Sequence, residues 1–215
     1  MNLLEFNTAT QTKESQSSVT PSSAMDLLKA GNARFVESKK ANRNLNQQVS
    51  DTSTGQYPFA TVLSCIDSRV SSELIFDQGI GDIFSVRIAG NFINTDILGS
   101  MEFACKLAGT PLVVVLGHTS CGAVKGACDN AELGNLTSML GKITPAVDAI
   151  SEPADPSQRN SGNIDFVNNV AAKNVQLNIQ RILDESPVLA EMKNNGEIDI
   201  VGGMYDIKTG KVDFL

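Results

Sequence analysis

Histidine occurs once in this 215-residue chain, cysteine four times, tyrosine twice and tryptophan not at all. Four cysteines (Cys65, Cys105, Cys121, Cys128) are too sparse for a disulfide framework at this length, and in a cytosolic protein they point to metal binding or catalysis. A single histidine leaves no second imidazole for a proton relay once the first is committed. Long apolar runs are missing too: no stretch approaches the roughly 18–20 residues of a membrane span. The opening stretch, MNLLEFNTATQTKESQSS, lacks the basic-then-apolar order of a secretory signal, so a cytoplasmic protein is expected. Cations are in the minority, 17 Lys and Arg against 24 Asp and Glu, for a formal net charge of -7. An acidic surface repels phosphate backbones and anionic lipid, which argues against nucleic acid and membrane surfaces as partners.

What is present suits one compact α/β domain. Hydrophobic residues make up 41% and charged residues 19%, enough to bury a sizeable core. Residues 1–21, rich in Ser, Thr and Gln, read as a flexible arm, and residues 22–215 as a single domain without internal repeats. Helix-start chemistry stands at Thr20-Pro21-Ser22-Ser23, with Asp26 three residues after Ser23 as a capping-box variant. The helix that follows, with Leu27, Leu28 and Phe35 on one face, is predicted to end near Lys40, and residues 41–55 read as a loop. Apolar runs at 59–64 and 82–88 predict strands, and the continuous β-branched run over 111–117 predicts a parallel strand covered on both faces. Helices are predicted at 71–77, 95–107, 123–128, 136–150 and 164–185, then a strand from 197 and a hairpin-like return over 205–215. Strands alternating with helices imply a mainly parallel central sheet flanked by helices, with its ligand site beyond the carboxyl ends of the strands.

Three residues stand at those ends. Cys65 directly follows the first strand and His118 the strongest one. Cys121 comes three residues after His118, a spacing that lets one turn present both side chains to a single ion, with Gly117 and Gly122 allowing the tight backbone. Taken singly, a histidine is usually a satisfied core or surface residue and a cysteine a small hydrophobe. Placed jointly at strand ends, two thiolates and an imidazole match tetrahedral zinc with its fourth position open, the arrangement of a catalytic site. Cys105 shares an apolar helix face with Met101, Phe103 and Leu107, and Cys128 follows a helix containing Val124 and Ala127, so both read as packing residues.

The segments Cys65-Ile66-Asp67-Ser68-Arg69-Val70, Arg87-Ile88-Ala89-Gly90-Asn91 and Gly117-His118-Thr119-Ser120-Cys121-Gly122, in this order and spacing, resemble the β-class carbonic anhydrases. Gly31-Asn32-Ala33-Arg34-Phe35, Gly99-Ser100-Met101-Glu102-Phe103 and Gly202-Gly203-Met204-Tyr205-Asp206 extend the resemblance over residues 24–215. It implies an enzyme with one Zn2+ per chain that interconverts carbon dioxide and bicarbonate, a zinc-activated hydroxide attacking CO2 in an apolar slot. Two thiolates cancel the charge of Zn2+, so the ion acidifies water less than one held by three imidazoles and needs help from its surroundings. By the resemblance, Asp67 accepts a hydrogen bond from that water and Arg69 orients Asp67 through a bidentate contact. The competing reading is a surface ion pair worth little. Gln56 matches a position whose amide donates to substrate, Phe84, Ala89 and Phe103 match pocket-lining positions, and Gly122 offers a backbone N–H beside the metal. The family pattern takes Gln56, Phe84 and Phe103 from a neighbouring subunit, which implies a homodimer unit or a larger assembly built from it. Many relatives carry Tyr at position 103, so a hydroxyl contact there is missing from this chain.

Some relatives close the site by making the counterpart of Asp67 the fourth ligand, under control of bicarbonate at a site involving Trp. Without tryptophan, this chain is expected to lack that switch or to have a different one. Two other readings compete. A carbon disulfide or carbonyl sulfide hydrolase on the same scaffold shares the ligands and the Asp–Arg pair. A non-enzymatic structural zinc module would need a fourth Cys or His near the first three.

Overall fold

A computed structural model of the chain describes residues 8–215. Its sheet has five strands: β1 (Ala60–Ser64), β2 (Ile83–Arg87), β3 (Leu112–His118), β4 (Asp199–Tyr205) and β5 (Val212–Phe214). They lie in the order β2-β1-β3-β4-β5, parallel except for β5, which returns antiparallel along β4. Around them run α1 (Lys13–Ser17), α2 (Pro21–Val36), α3 (Leu45–Asp51), α4 (Ser72–Ile75) and α5 (Thr95–Glu102), the last continuing as a π-helix over Phe103–Leu107. Then come α6 (Gly122–Cys128), α7 (Gly134–Leu140), α8 (Thr144–Asp148), α9 (Ile164–Glu185) and α10 (Pro187–Asn194). Among the described residues no helix is long and apolar enough to cross a membrane.

β1 and β3 are buried at every position, as continuous apolar runs covered on both faces require. Alternation along β3 divides the core. Leu112, Val114 and Leu116 pack with Leu27 and Leu28 of α2, whereas Val113 and Val115 pack with Val175 and Ile182 of α9. A third cluster, including Cys65, Cys121, Ile143 and Phe166, lies at the carboxyl ends. The chain leaves β1 toward β2 on one side and returns to β3 on the other, so the strand order reverses at β1 and a crevice opens beyond its end.

Several elements depart from expectation for local reasons. α2 starts earlier than Ser23: Thr20 is its N-cap, and Ser23, not Asp26, completes the capping box. Residues 45–51 are helical rather than loop, capped by Asn44. Leu45 and Val49 stay exposed and the buried residue is the polar Gln48, so no apolar periodicity announces the helix. The helix expected over 136–150 is two, because Pro145 lacks the N–H a continuous helix needs and instead lies in the first turn of α8. α10 was not anticipated, although Ser186 followed by Pro187 is its start signal. The arm expected over 1–21 falls partly outside the described residues. From residue 8 it is anchored, with Gln16 of α1 buried and its amide donating to the carbonyls of Pro58 and Ala108 at 2.7 and 2.8 Å.

The Gly31–Phe35 segment is a clasp. Asn32 Nδ2 donates to the carbonyls of Ile75 (3.1 Å) and Gly210 (2.8 Å), and its Oδ1 accepts from Val212 N (2.8 Å). Arg34, with Arg43, pairs with the buried Asp77. Gly31 lets α2 come this close, since a Cβ there would overlap the Phe76 carbonyl oxygen. Alanine would gain about 1 kcal/mol of helix propensity, but overpacking against backbone costs about 1–3 kcal/mol or more. Because the overlap is with rigid backbone, the cost falls at the upper end, and Gly31→Ala is expected to lower stability by about 2 kcal/mol net. A urea titration reads this as a lower midpoint at unchanged slope; an equal or higher midpoint would show that the close approach is not needed.

Candidate metal centre

Cys65 is the residue after β1, His118 ends β3, and Cys121 is the N-cap of α6. Ser64 stands opposite Leu116 in the parallel register, so the two strand ends reach the same level. The ligand atoms of Cys65, His118 and Cys121 all lie within 4.8 Å of one another, with the two sulfurs 4.0 Å apart. All three side chains are buried. His118 Nδ1 is 3.0 Å from the carbonyl oxygen of Thr119, which can only accept, so Nδ1 carries the proton and Nε2 keeps its lone pair. That Nε2 is buried with no hydrogen-bond partner. An orphaned imidazole nitrogen beside two thiols is satisfied by a metal ion, and an N/S donor set of this kind points to zinc. Among the described residues Cys105 packs in a different core cluster, and Cys128, though in the same apolar cluster as Cys65 and Cys121, is not part of the ligand group, so the group offers three ligands and not the four of a structural site.

The turn joining His118 to Cys121 works differently from expectation. The left-handed residue is Ser120, at φ +55°, with its N–H held by Asn168 Oδ1 at 2.8 Å. Gly117 serves packing instead, since a Cβ there would lie 2.7 Å from both Met204 Sδ and Val175 Cγ2. Gly122 has open space where a Cβ would be and simply begins α6.

Asp67 and Arg69 are brought to the same place. Arg69 donates from Nε (2.9 Å) and its backbone N (3.0 Å) to Asp67 Oδ1, and from Nη2 (2.7 Å) to Oδ2. These bonds hold the Asp67 carboxyl well below the usual carboxylate range despite its partial burial. Oδ2 lies 3.9 Å from His118 Nε2, on the rim of the ligand group. A hydrogen bond with Cys121 lowers the Cys65 thiol against the effect of burial, with the Gly90 N–H helping. The same bond, together with burial, pushes Cys121 up, so one negative charge between the two sulfurs disfavours a second.

The remaining expected site residues are divided. Ala89, half-buried, precedes Gly90, and Gly122 follows Cys121, so both adjoin the ligands. Phe84 and Phe103 meet edge-on, centroids 6.2 Å apart, in an open cavity of about 810 Å³ whose lining includes none of the three ligands. Gln56 is exposed on the segment ahead of β1. Other contributors had no assigned role in the sequence. Arg87 donates to the carbonyls of Cys65 (3.0 Å) and Asp67 (2.8 Å), bracing the loop that carries both. Gly90 N donates to Cys65 Sγ at 3.4 Å. Asn174 and Asn178 of α9 are buried and bonded to the 90–93 loop. Two asparagines four apart in an otherwise apolar helix stripe were the available signal for these.

A family model described as carbonic anhydrase matches residues 60–212. Carbonic anhydrase 2 of Mycobacterium tuberculosis is 36% identical over 194 residues, covering 89% of this chain and 91% of its own length. A carbonic anhydrase of Mycolicibacterium smegmatis is 36% identical over 200 residues, covering 90% and 92%. Among solved structures, the β-carbonic anhydrase CcaA superposes with a TM-score of 0.70 at 25% identity, covering 89% of this chain and 98% of that one. These matches do not favour the carbon disulfide or carbonyl sulfide alternative. With a Cys-His-Cys group able to hold a metal ion at the carboxyl ends of its strands, the chain belongs to the β class of the carbonic anhydrases, enzymes of zinc-dependent, reversible carbon dioxide hydration.

Proposed function

We propose that Cys65 Sγ, His118 Nε2 and Cys121 Sγ hold one zinc ion, and that Asp67, aimed by Arg69, prepares the attacking water. The observation that carries this is the buried, partnerless Nε2 among two buried thiols, with an ionised carboxylate 3.9 Å away. Bound there, zinc would supply Lewis acidity to a water at the open fourth position. Asp67 Oδ2, 3.9 Å from His118 Nε2, is placed to accept a hydrogen bond from substrate water and would orient it toward carbon dioxide. Because Arg69 holds the carboxyl ionised, Asp67 orients the water rather than keeping its proton. The same bidentate grip occupies both carboxylate oxygens, which works against Asp67 swinging in as a fourth ligand.

Gln56, Phe84 and Phe103 serve the site of a neighbouring subunit in this reading, while Ala89 and Gly122 line their own. Support comes from the edge position of β2 and from Phe103, which is 51% exposed beside it. A strand edge beside the exposed Phe103, which packs on the half-buried Phe84, suits an interface between copies, so a homodimer is the smallest complete unit. A cytoplasmic setting fits the reduced cysteines this chemistry needs.

Cys65→Ser should drop zinc from about one ion per chain to a small fraction, since a hydroxyl is a poor substitute for a thiolate on a soft site. Metal analysis of the purified variant decides this, and full zinc with full activity would overturn the ligand set. Asp67→Asn should keep zinc but slow hydration about a hundredfold, roughly 2.7 kcal/mol, because the amide keeps the shape and loses the charge. Stopped-flow hydration at wild-type speed would reduce the Asp67–Arg69 pair to an ion pair without function.

Each turnover must also release a proton. His118 is the only histidine and is committed to the metal, so no copy of the chain offers a free imidazole. Tyr205 is pushed further above neutrality by burial, and Asp67 lies far below it. External buffer is therefore the carrier, and turnover at saturating carbon dioxide should rise with imidazole-type buffer concentration at fixed pH and ionic strength. A turnover already maximal at the lowest buffer that holds pH would mean an internal relay.

A further inference from the structure

Two loops deliver the metal ligands' surroundings, and neither is in a relaxed conformation. Gly90 and Asn91 have φ of +79° and +40°, and Ser120 has +55°. Left-handed backbone persists where the neighbouring structure over-determines it. Here that structure is a single helix, α9. Asn174 Nδ2 donates to the Gly90 carbonyl at 2.8 Å, and Gly90 N in turn donates to Cys65 Sγ at 3.4 Å. Asn178 Oδ1 accepts from Ile93 N at 2.9 Å, and its Nδ2 donates back to Asn174 O and Oδ1 at 2.8 and 3.0 Å. One and a half turns earlier, Asn168 Oδ1 accepts from Ser120 N at 2.8 Å. The backbone partners fix each amide's orientation, since a carbonyl can only accept and an N–H only donate. Asn174 and Asn178 are 2% and 1% exposed. Burying two amides there would be costly if they lacked these partners, and the partners they have are the loop and each other.

We propose that Asn168, Asn174 and Asn178 are positioning residues through which α9 clamps both metal-bearing loops, Asn174 by aiming the Gly90 N–H at the Cys65 sulfur. A hydrogen bond to a metal thiolate draws off part of its electron density and fixes its direction, which is how an outer shell tunes a metal. This rests on the assignment of Cys65, His118 and Cys121 as zinc ligands.

The three side chains play opposite parts in their hydrogen bonds, and one substitution separates them. Asn→Asp removes a donor and keeps an acceptor. Asn174→Asp should therefore disturb the site, whereas Asn168→Asp should spare it and Asn168→Leu should not. The readouts are zinc affinity of the full chain by chelator competition and the thiolate-to-metal charge-transfer band of the Co(II)-substituted protein. Asn174→Asp, Asn174→Ala and Asn168→Leu are expected to weaken zinc about 10–100-fold, with the Asn174 variants also shifting the band. Asn168→Asp should stay near wild type in both. Ile182→Ala, buried on the same helix without a bond to either loop, controls for lost packing. Wild-type affinity and spectrum in both Asn174 variants, or equal shifts in Ile182→Ala, would overturn the clamp. Should the Asn174 variants not fold, equal affinities for Asn168→Asp and Asn168→Leu would overturn it as well. Wild-type protein that binds no zinc would instead sink the ligand assignment.

Discussion

β1 and β3 pair in parallel, from Thr61 opposite Val113 to Ser64 opposite Leu116, and both run out at the same edge of the sheet. Cys65 and His118, 53 positions apart, become neighbours through that register alone. Because strand order reverses at β1, a crevice opens between the two ends, and Cys121 reaches it as the N-cap of the next helix. The interior runs that make these strands are what hold the register. A shift of one residue would turn Val113 and Val115 from the α9 side to the α2 side and move His118 off the group.

Electrostatics then divide the work within a few ångströms. The Thr119 carbonyl fixes the His118 tautomer and leaves Nε2 free to ligate. Two thiolates would neutralise a divalent ion held between them, and the Asp67 carboxylate adds a negative charge at the rim, 3.9 Å from His118 Nε2. Arg69 makes that carboxylate a permanent acceptor, in contrast to the raised thiol of Cys121 buried nearby. The Asp67–Arg69 pair stands at the partly exposed mouth, where the carboxylate stays charged, whereas burial of Cys121 opposes its ionisation, so the thiolate form there depends on a cation beside it.

The scaffold behind the ligands is as specific as the ligands. Arg87 at the end of β2 braces the Cys65–Asp67 loop, and α9 braces the loops on either side of it. Backbone that would not hold its conformation alone is held by side chains from elements distant in sequence, which is the usual way strain at a site is maintained.

Local chemistry was legible without coordinates wherever one residue or one short run decides the outcome. The β-branched run of β3, the bounds of α9 and the gathering of Cys65, His118 and Cys121 into one group are of this kind, because hydropathy, helix periodicity and donor type act at the level of the residue. Tertiary structure alone decided the rest. Gln16, Gln48 and Asn32 look like solvent-facing residues in the sequence and are buried, because their value lies in carbonyls and N–H groups far along the chain. The left-handed residue of the ligand turn is Ser120 rather than a glycine, since Asn168 holds it there and Gly117 is needed for close packing under α9. The sequence determined which atoms could bind a metal and which strands would present them; only the packed structure decided which polar groups hold those atoms in place, because a hydrogen bond between distant residues leaves no periodicity in the chain.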